Sequence, residues 1–280
     1  MKILVTGAQG QLGSTIAAGF AARADVVSLG RADLDLADSR AVERAIAAHR
    51  PGVIINCAAF NDVDGAEDRA VDAIQINSLA VRALARAAAS SDACLVHFGT
   101  DFVFDGRQGD RPYTETDPPA PQSVYGASKL LGEWFAADAP RRYVLRVESL
   151  FGGTGHPSTI DRIVAAIRAG HPARVFVDRT VTPSFVHDVA DATWRLLESR
   201  APFGLYHCVN SGVATWFELA QEITHITGVD AELLPVRVAE VTLKARRPQY
   251  AALSNDKLRS AGIAMPSWRD ALRRHLRSAC

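Results

Sequence analysis

The sequence predicts an α/β fold built on a doubly wound parallel sheet, and three observations carry that prediction. Short apolar runs without alternation, at residues 2–6, 53–56 and 94–98, fit strands buried on both faces. Stretches of helical apolar period separate them, as Leu12, Ile16 and Phe20 do after the first run. Between that run and its helix lies the glycine turn Gly7-Ala8-Gln9-Gly10-Gln11-Leu12-Gly13.

The 280 residues are 48% hydrophobic, enough for one large core or two smaller ones. Lys plus Arg and Asp plus Glu both number 31, and the cations are scattered, so no nucleic acid is expected as a partner. No apolar run is long enough for a signal or a membrane span, which reads as a cytoplasmic chain with no membrane partner. Cys57, Cys94, Cys208 and Cys280 are far apart, and the first three lie in strand-like contexts where cysteine packs as a small hydrophobe. Neither a disulfide framework nor a metal site is expected.

Each element follows in order. Strand, glycine turn and helix form the context of a dinucleotide site, because glycine lets backbone approach a pyrophosphate and the helix N-terminus offers N–H donors. A second strand is expected over 25–29, with Arg31 just past its end, where an adenosine ribose would lie. Arg31 suits a 2′-phosphate, a lean toward NADPH with NADH as the alternative; a solvated loop cation is the other reading. Asp35 is placed to accept from an adenine amino group. A helix over 39–49 ends at Pro51, and Ala58 and Ala59 after the third strand leave room for a cofactor against the backbone. One long helix is expected over 67–90, with Asn77 inside it bonding a loop.

The fourth strand ends at Gly99-Thr100-Asp101, which puts the Thr100 hydroxyl in the crevice where such sheets bind ligands, placed to bond a carbonyl oxygen. Residues 106–122 read as a long loop. It leads to Tyr125-Gly126-Ala127-Ser128-Lys129, a helix that Ser123 can cap. Positions i and i+4 share a face, so the Lys129 ammonium can lower the Tyr125 phenol toward the range useful for proton transfer. A surface Tyr and Lys on an ordinary helix is the plainer reading of that pair alone. A strand at 142–147 follows, then helices near 159–169, 187–199 and 215–227, short strands near 174–177 and 205–208, and a last amphipathic helix through Trp268, Leu272 and Leu276. His97, His187 and His207 are not spaced as ligands.

Taken together, Thr6-Gly7-x-x-Gly10-x-x-Gly13, Thr100 and Tyr125-x-x-x-Lys129 resemble the extended short-chain dehydrogenase/reductase family in order and spacing. Further phrases resemble its dTDP-4-dehydrorhamnose reductase branch: Asn56-Cys57-Ala58-Ala59-Phe60 with Val63-Asp64-x-x-Glu67, the run from Thr100 to Gly106, Tyr113-x-Glu115, Gly204-Leu205-Tyr206-His207 and Arg247-Pro248. The resemblance covers the whole chain. It implies a Rossmann domain over 1–150 and a smaller C-terminal α/β substrate lobe over 151–280, with a segment near 184–207 that can return to the first.

The resemblance also implies an NAD(P)H-dependent oxidoreductase acting on a 4-keto nucleotide sugar, with Thr100, Tyr125 and Lys129 catalytic. Gly7, Gly10, Gln11, Leu12, Gly13, Asp35, Leu36, Ala58, Ala59 and Lys129 would line the cofactor, together with Arg31. Val63, Asp101, Phe102, Ser149 and Arg247 would join Thr100 and Tyr125 around the substrate, Arg247 toward the diphosphate. Two positions depart from the branch. Its Arg-Thr-Ser-Trp strand end reads Arg146-Val147-Glu148-Ser149 here, and Gly99 stands where a hydroxyl residue is usual. The identity of the sugar therefore stays open. So do an epimerase or dehydratase of the same family that retains its NAD, a regulatory subunit like that of methionine adenosyltransferase, and assembly as a homodimer.

Overall fold

The computed structural model describes residues 1–155, 157–199 and 201–278, without the side chain of Ser278; Cys280 lies outside the described residues. β1 (Lys2–Thr6), β2 (Asp25–Leu29), β3 (Val53–Asn56), β4 (Cys94–Thr100), β5 (Arg142–Val147) and β10 (Gly204–His207) form one six-stranded sheet in the order β10-β5-β4-β3-β1-β2. Every pairing in it is parallel. Strand order reverses at β1, which lies between β3 and β2, and that reversal opens a crevice at the C-terminal ends of β1 and β3.

Apolar layers cover both faces. On one, α1 (Gln11–Phe20) and α8 (Val186–Glu198) bury Ile16, Phe20, Val189 and Trp194 against Ile3, Val5, Val96 and Leu145. On the other, α2 (Ser39–His49) and α5 (Ala80–Ser90) bury Val42, Ile46, Val81 and Leu84 against Leu4, Ile54 and Leu95. A second apolar cluster gathers Ile160, Ile163 and Ile167 of α7 (Thr159–Arg168), Trp216, Leu219 and Ile223 of α9 (Trp216–Thr227), and Trp268, Leu272 and Leu276 of α11 (Trp268–Ser278). Beside it β7 (Ala173–Phe176) pairs with β12 (Leu233–Val236), β6 (Leu150–Phe151) with β9 (Ser184–Phe185), and β8 (Thr180–Val181) with β11 (Ala214–Thr215).

The helix expected over 67–90 is divided. A short α3 (Gly65–Asp68) ends at Arg69, whose backbone leaves helical geometry at φ −119°, ψ 48°. α4 (Ala70–Ile74) then runs through a π-helical turn (Gln75–Leu79) into α5. The wider turn has a clear use. Asn77 Oδ1 accepts from Phe60 N at 2.8 Å, and its Nδ2 donates to Phe60 O at 3.1 Å and to Ser128 Oγ at 3.0 Å. Ser78 Oγ donates to Ser128 O at 2.7 Å. Asn77 thus bonds the loop after β3, as expected, and also ties that loop to α6 (Val124–Phe135).

The 106–122 loop is pinned rather than loose. Tyr113 N donates to Ala252 O, Ser254 N donates to Tyr113 O, and Arg111 grips Asp117 through two guanidinium nitrogens.

Removing the Asn77 amide leaves the half-buried Phe60 backbone and the buried Ser128 short of partners. Asn77→Ala should cost about 2–3 kcal/mol in urea denaturation, whereas Val71→Ala, at a highly exposed position, should change stability by less than about 0.5 kcal/mol.

Candidate active site

The crevice is built by close backbone approach. Gly7 has φ +66°, and a Cβ there would lie 2.5 Å from Ala58 N; a Cβ on Gly13 would lie 2.2 Å from Gly7 O. Those two glycines lock β1, α1 and the end of β3 together. Gly10 differs, since the nearest atom to a Cβ there is Gly7 O at 3.4 Å. It is the N-cap of α1 with no side-chain cap, and no acidic residue stands in the first turn. An uncapped helix start beside open glycine backbone suits a pyrophosphate. The residues therefore fit a dinucleotide.

Around that cradle, Thr6 Oγ1 donates to Asn56 Oδ1 at 2.8 Å, Ala58 N donates to the same oxygen at 3.2 Å, and Asn56 Nδ2 lies 3.2 Å from His97 Nδ1. Burial, with the Lys129 charge added, drives His97 well below its ordinary pKa, so the neutral ring can accept the Asn56 amide. Arg31 is exposed past the end of β2 and meets no carboxylate among the described residues. Asp35 is exposed, with Oδ1 accepting from Ala37 N at 2.9 Å. Leu12 and Leu36 bury their side chains in the two apolar layers, so any contact they make with a cofactor is through backbone.

Across the crevice stands α6. Ser123 caps it as expected, accepting from Gly126 N at 3.1 Å, and Glu67 Oε1 accepts from Val124 N at 2.9 Å. Thr100 and Tyr125 are both buried, 5% and 8% exposed, and Thr100 Oγ1 donates to Asp101 Oδ1 at 3.0 Å. The phenol sits above its ordinary pKa, raised first by burial and then by the Asp101 charge, with the Thr100 hydroxyl opposing.

The expectation that Lys129 pulls the phenol down is not what the structure holds. Lys129 Nζ donates to Phe98 O of β4 at 2.6 Å, and burial lowers its ammonium to about 8 against the charges of Glu133 and Cys57. The ammonium is fixed to the sheet edge, and the phenol stays protonated.

Val63, Phe102 and Tyr125 share one apolar cluster, with the Phe102 ring edge-on to Tyr125 at 5.4 Å. Arg247 lies 5.8 Å above Phe102, yet its guanidinium is paired with Asp64 Oδ2 at 2.8 Å. It thus meets a carboxylate where the sequence suggested a diphosphate, and Asp64 also accepts from Ala245 N at 2.9 Å. Next to it a cleft of about 590 Å³ runs between Gln122, Val241, Leu243 and Arg246. The larger hollow, about 740 Å³ between Gln108, Tyr113 and Pro118, belongs to the 106–122 loop and includes none of the predicted site residues.

Both departures at the strand ends have physical accounts. A Cβ on Gly99 would stand 2.3 Å from Glu133 Oε1, and Glu133 is held by Arg146 in a buried pair at 2.8 Å. Ser149 is half-buried with φ +47°, left-handed geometry that an indole-bearing residue adopts at a cost. Sequence reasoning missed four residues that complete this region: Glu133, Glu148, Arg179 and Thr182. Only Glu148 left a signal, as the carboxyl in a strand end expected to read Arg-Thr-Ser-Trp.

An uncapped helix behind a glycine turn, facing Thr100, Tyr125 and Lys129 across a topological reversal, defines a nicotinamide-dependent oxidoreductase of the short-chain dehydrogenase/reductase class. Comparison with known proteins narrows the class. The chain belongs to the family described as the RmlD substrate binding domain, whose family model matches residues 1–280. It is 38% identical to a dTDP-4-dehydrorhamnose reductase of Mycobacterium tuberculosis, covering 97% of this chain and 91% of that one. It is 37% identical to a probable dTDP-4,6-dihydroxy-2-methyloxan-3-one 4-ketoreductase of Streptomyces antibioticus, covering 98% and 94%. Among solved structures, the dTDP-4-dehydrorhamnose reductase of Bacillus anthracis in complex with NADP superposes with a TM-score of 0.94 at 31% identity, covering 99% of each chain.

Arg31→Ala tests the ribose end of the cradle. It should weaken NADPH binding by about 1.5–3 kcal/mol, as loss of a charge-assisted hydrogen bond does, and leave NADH nearly unchanged in titration calorimetry. Equal losses for both cofactors would make Arg31 a structural residue.

Proposed function

We propose that this protein reduces the keto group at C4 of a nucleotide sugar with NADPH, and that Tyr125 supplies the proton to the ketone oxygen. The observation that carries the reading is the buried, protonated Tyr125 of α6 at the sheet edge where Thr100 ends β4, beside the dinucleotide cradle. Gly7, Gly10 and Gly13 with the start of α1 would hold the pyrophosphate, Arg31 the 2′-phosphate, and Ala58 and Ala59 would face the ring system. Bound there, the nicotinamide supplies the reducing equivalent. Both curated relatives described above act, by their names, on 4-keto sugars carried on dTDP. A cytoplasmic location suits that substrate class, and no helix among the described residues is long and apolar enough to cross a membrane.

The chain's own residues account for the rest of the step. Thr100 orients the ketone oxygen toward the phenol. Burial keeps the Tyr125 proton in place until negative charge develops on that oxygen, which then becomes the better base. Lys129, anchored on Phe98 O, fixes a positive charge under the site and can hold the nicotinamide ribose. Arg247 can meet a diphosphate only by sharing its guanidinium with Asp64 or leaving it. Ser149 presents a hydroxymethyl where the branch presents an indole, which removes an aromatic wall of about 150–250 Å² and widens the sugar's surroundings.

Tyr125→Phe should leave fold and NADPH affinity intact while kcat falls by roughly a hundredfold or more. Near-normal turnover would overturn the assignment. Lys129→Met should impair both kcat and NADPH binding.

Steady-state kinetics with a panel of 4-keto nucleotide sugars tests the sugar. Selectivity for dTDP-4-dehydrorhamnose should be weak, or a bulkier 4-keto sugar preferred. A kcat/KM on dTDP-4-dehydrorhamnose about tenfold or more above every other sugar would contradict the widened pocket, since tenfold is about 1.4 kcal/mol of transition-state discrimination.

A further inference from the structure

The stretch from Val238 to Gln249 forms a strap beside the site. Its ends are tied within the C-terminal segment: Val238 N donates to Asp178 Oδ1 at 3.0 Å, and Thr180 N donates to Gln249 O at 2.8 Å. Its middle reaches the loop after β3 and the short α3. Ala245 N donates to Asp64 Oδ1 at 2.9 Å, Arg247 Nη2 donates to Asp64 Oδ2 at 2.8 Å, and Lys244 pairs with Asp68. The two oxygens of Asp64 thus hold different things, one a backbone N–H and the other a guanidinium.

Arg247 also lines the cleft of about 590 Å³, whose other charged walls are Arg107, Arg246 and Asp105. Arg107 and Arg246 are exposed; Arg107 lies 3.9 Å from Asp105, and Arg246 meets no carboxylate among the described residues. Three guanidiniums against one carboxylate make this cleft attractive to an anion. Contacts lead from it back to the phenol, since Arg247 stands 5.8 Å from the Phe102 ring and that ring is edge-on to Tyr125 at 5.4 Å.

We propose that Asp64 is a place-holding anion for Arg247: it keeps the guanidinium over Phe102 before substrate binds, and the diphosphate of the sugar nucleotide then takes the guanidinium from it. The identity of that diphosphate rests on the ketoreductase reading. In a nucleotide sugar the diphosphate is attached at C1, across the ring from C4, so with C4 at Tyr125 it lies on the Phe102 and Arg247 side. The direction of the exchange follows from exposure. The Arg247 side chain is 15% exposed and that of Asp64 43%, so the released carboxylate oxygen turns to water while the guanidinium passes from one anion to another. An ion pair with so exposed a carboxylate is weak beside a charge-assisted, two-pronged bond to phosphate. Asp64 Oδ1 keeps Ala245 N throughout, and the strap stays anchored while its arginine changes partner. Asp64 touches no reacting atom; it is a positioning residue acting through Arg247.

Asp64→Asn is the test, because the amide oxygen can still accept from Ala245 N while the charge opposite Arg247 is gone. The probe is dTDP, titrated calorimetrically into the full chain with NADP+ bound. Affinity for dTDP should rise about two- to fivefold, the range of an exposed ion pair that no longer has to be broken. Thymidine, which carries no diphosphate, should bind both proteins alike. Unchanged, weakened or unmeasurable dTDP binding would overturn the proposal, weakening by showing that Asp64 supports Arg247 in the bound state. A tightening shared by thymidine would overturn it too, since the effect would then come from the strap's backbone.

Arg247→Met should lower dTDP affinity about tenfold or more, as loss of a charge-assisted hydrogen bond does, and in that background Asp64→Asn should have no further effect. The same gain with and without Arg247 would mean that Asp64 acts on the ligand directly, and not through the guanidinium. In turnover, Asp64→Asn should lower KM for the 4-keto nucleotide sugar and leave KM for NADPH unchanged. A change expressed in KM for NADPH would show a structural aspartate instead. Full turnover by Tyr125→Phe would remove the underlying reading, and is distinguishable because dTDP binding is measured without turnover.

Discussion

Everything in the site depends on how closely α6 is seated against its neighbours. A Cβ on Gly126 would lie 2.3 Å from Phe102 O, and one on Gly132 would lie 2.0 Å from Asn77 O. The helix rests directly on backbone at both ends of the Tyr125 to Lys129 interval. That contact brings Lys129 Nζ within 2.6 Å of a strand carbonyl and the Tyr125 ring edge-on to Phe102. The π turn across from Gly132 belongs to the same arrangement, because it directs Asn77 at once to the loop after β3 and to Ser128. Loop, helix and strand end are held by one short set of contacts, and the predicted catalytic side chains hang from it.

Close seating has an electrostatic cost. Lys129, Tyr125, Asp101, Glu148 and the Glu133 to Arg146 pair are all buried, so each charge depends on its neighbours for stabilisation. Glu133 and Arg146 neutralise one another beneath Gly99. Lys129 keeps its proton less firmly than an exposed lysine, and Tyr125 keeps its own more firmly. Both shifts suit a site that must deliver a proton only as charge appears on substrate oxygen. The C-terminal segment contributes directly: Thr182 holds Glu148, Arg179 Nε donates to Pro248 O, and the stretch at Ala245 and Arg247 is anchored on Asp64.

Several phrases that look like a signature are structural once placed. Glu67 of Val63-Asp64-x-x-Glu67 holds the first turn of α6, and Asp64 ties down the C-terminal strap. Glu115 of Tyr113-x-Glu115 accepts from His207 N at 2.8 Å, joining the long loop to the edge strand β10. These residues tie α6, the C-terminal strap and the 106–122 loop to their neighbours.

Local sequence is enough for the parallel sheet, the glycine turn, the capped helix carrying Tyr125 and Lys129, and the strand end carrying Thr100. Each is legible because it follows from local rules: unbroken apolar runs, the i, i+4 geometry of a helix, and the backbone freedom of glycine. What only the tertiary structure decided lies in contacts between residues far apart in the chain. The π turn arises from packing Asn77 on α6. Lys129 bonds a carbonyl 31 residues earlier and not the phenol its spacing suggested. Arg247 pairs with a carboxylate 183 residues away. Glu148 meets Thr182 only because the end of β5 and the segment after β8 converge. Burial and pairing set protonation, and neither can be read from spacing along the chain.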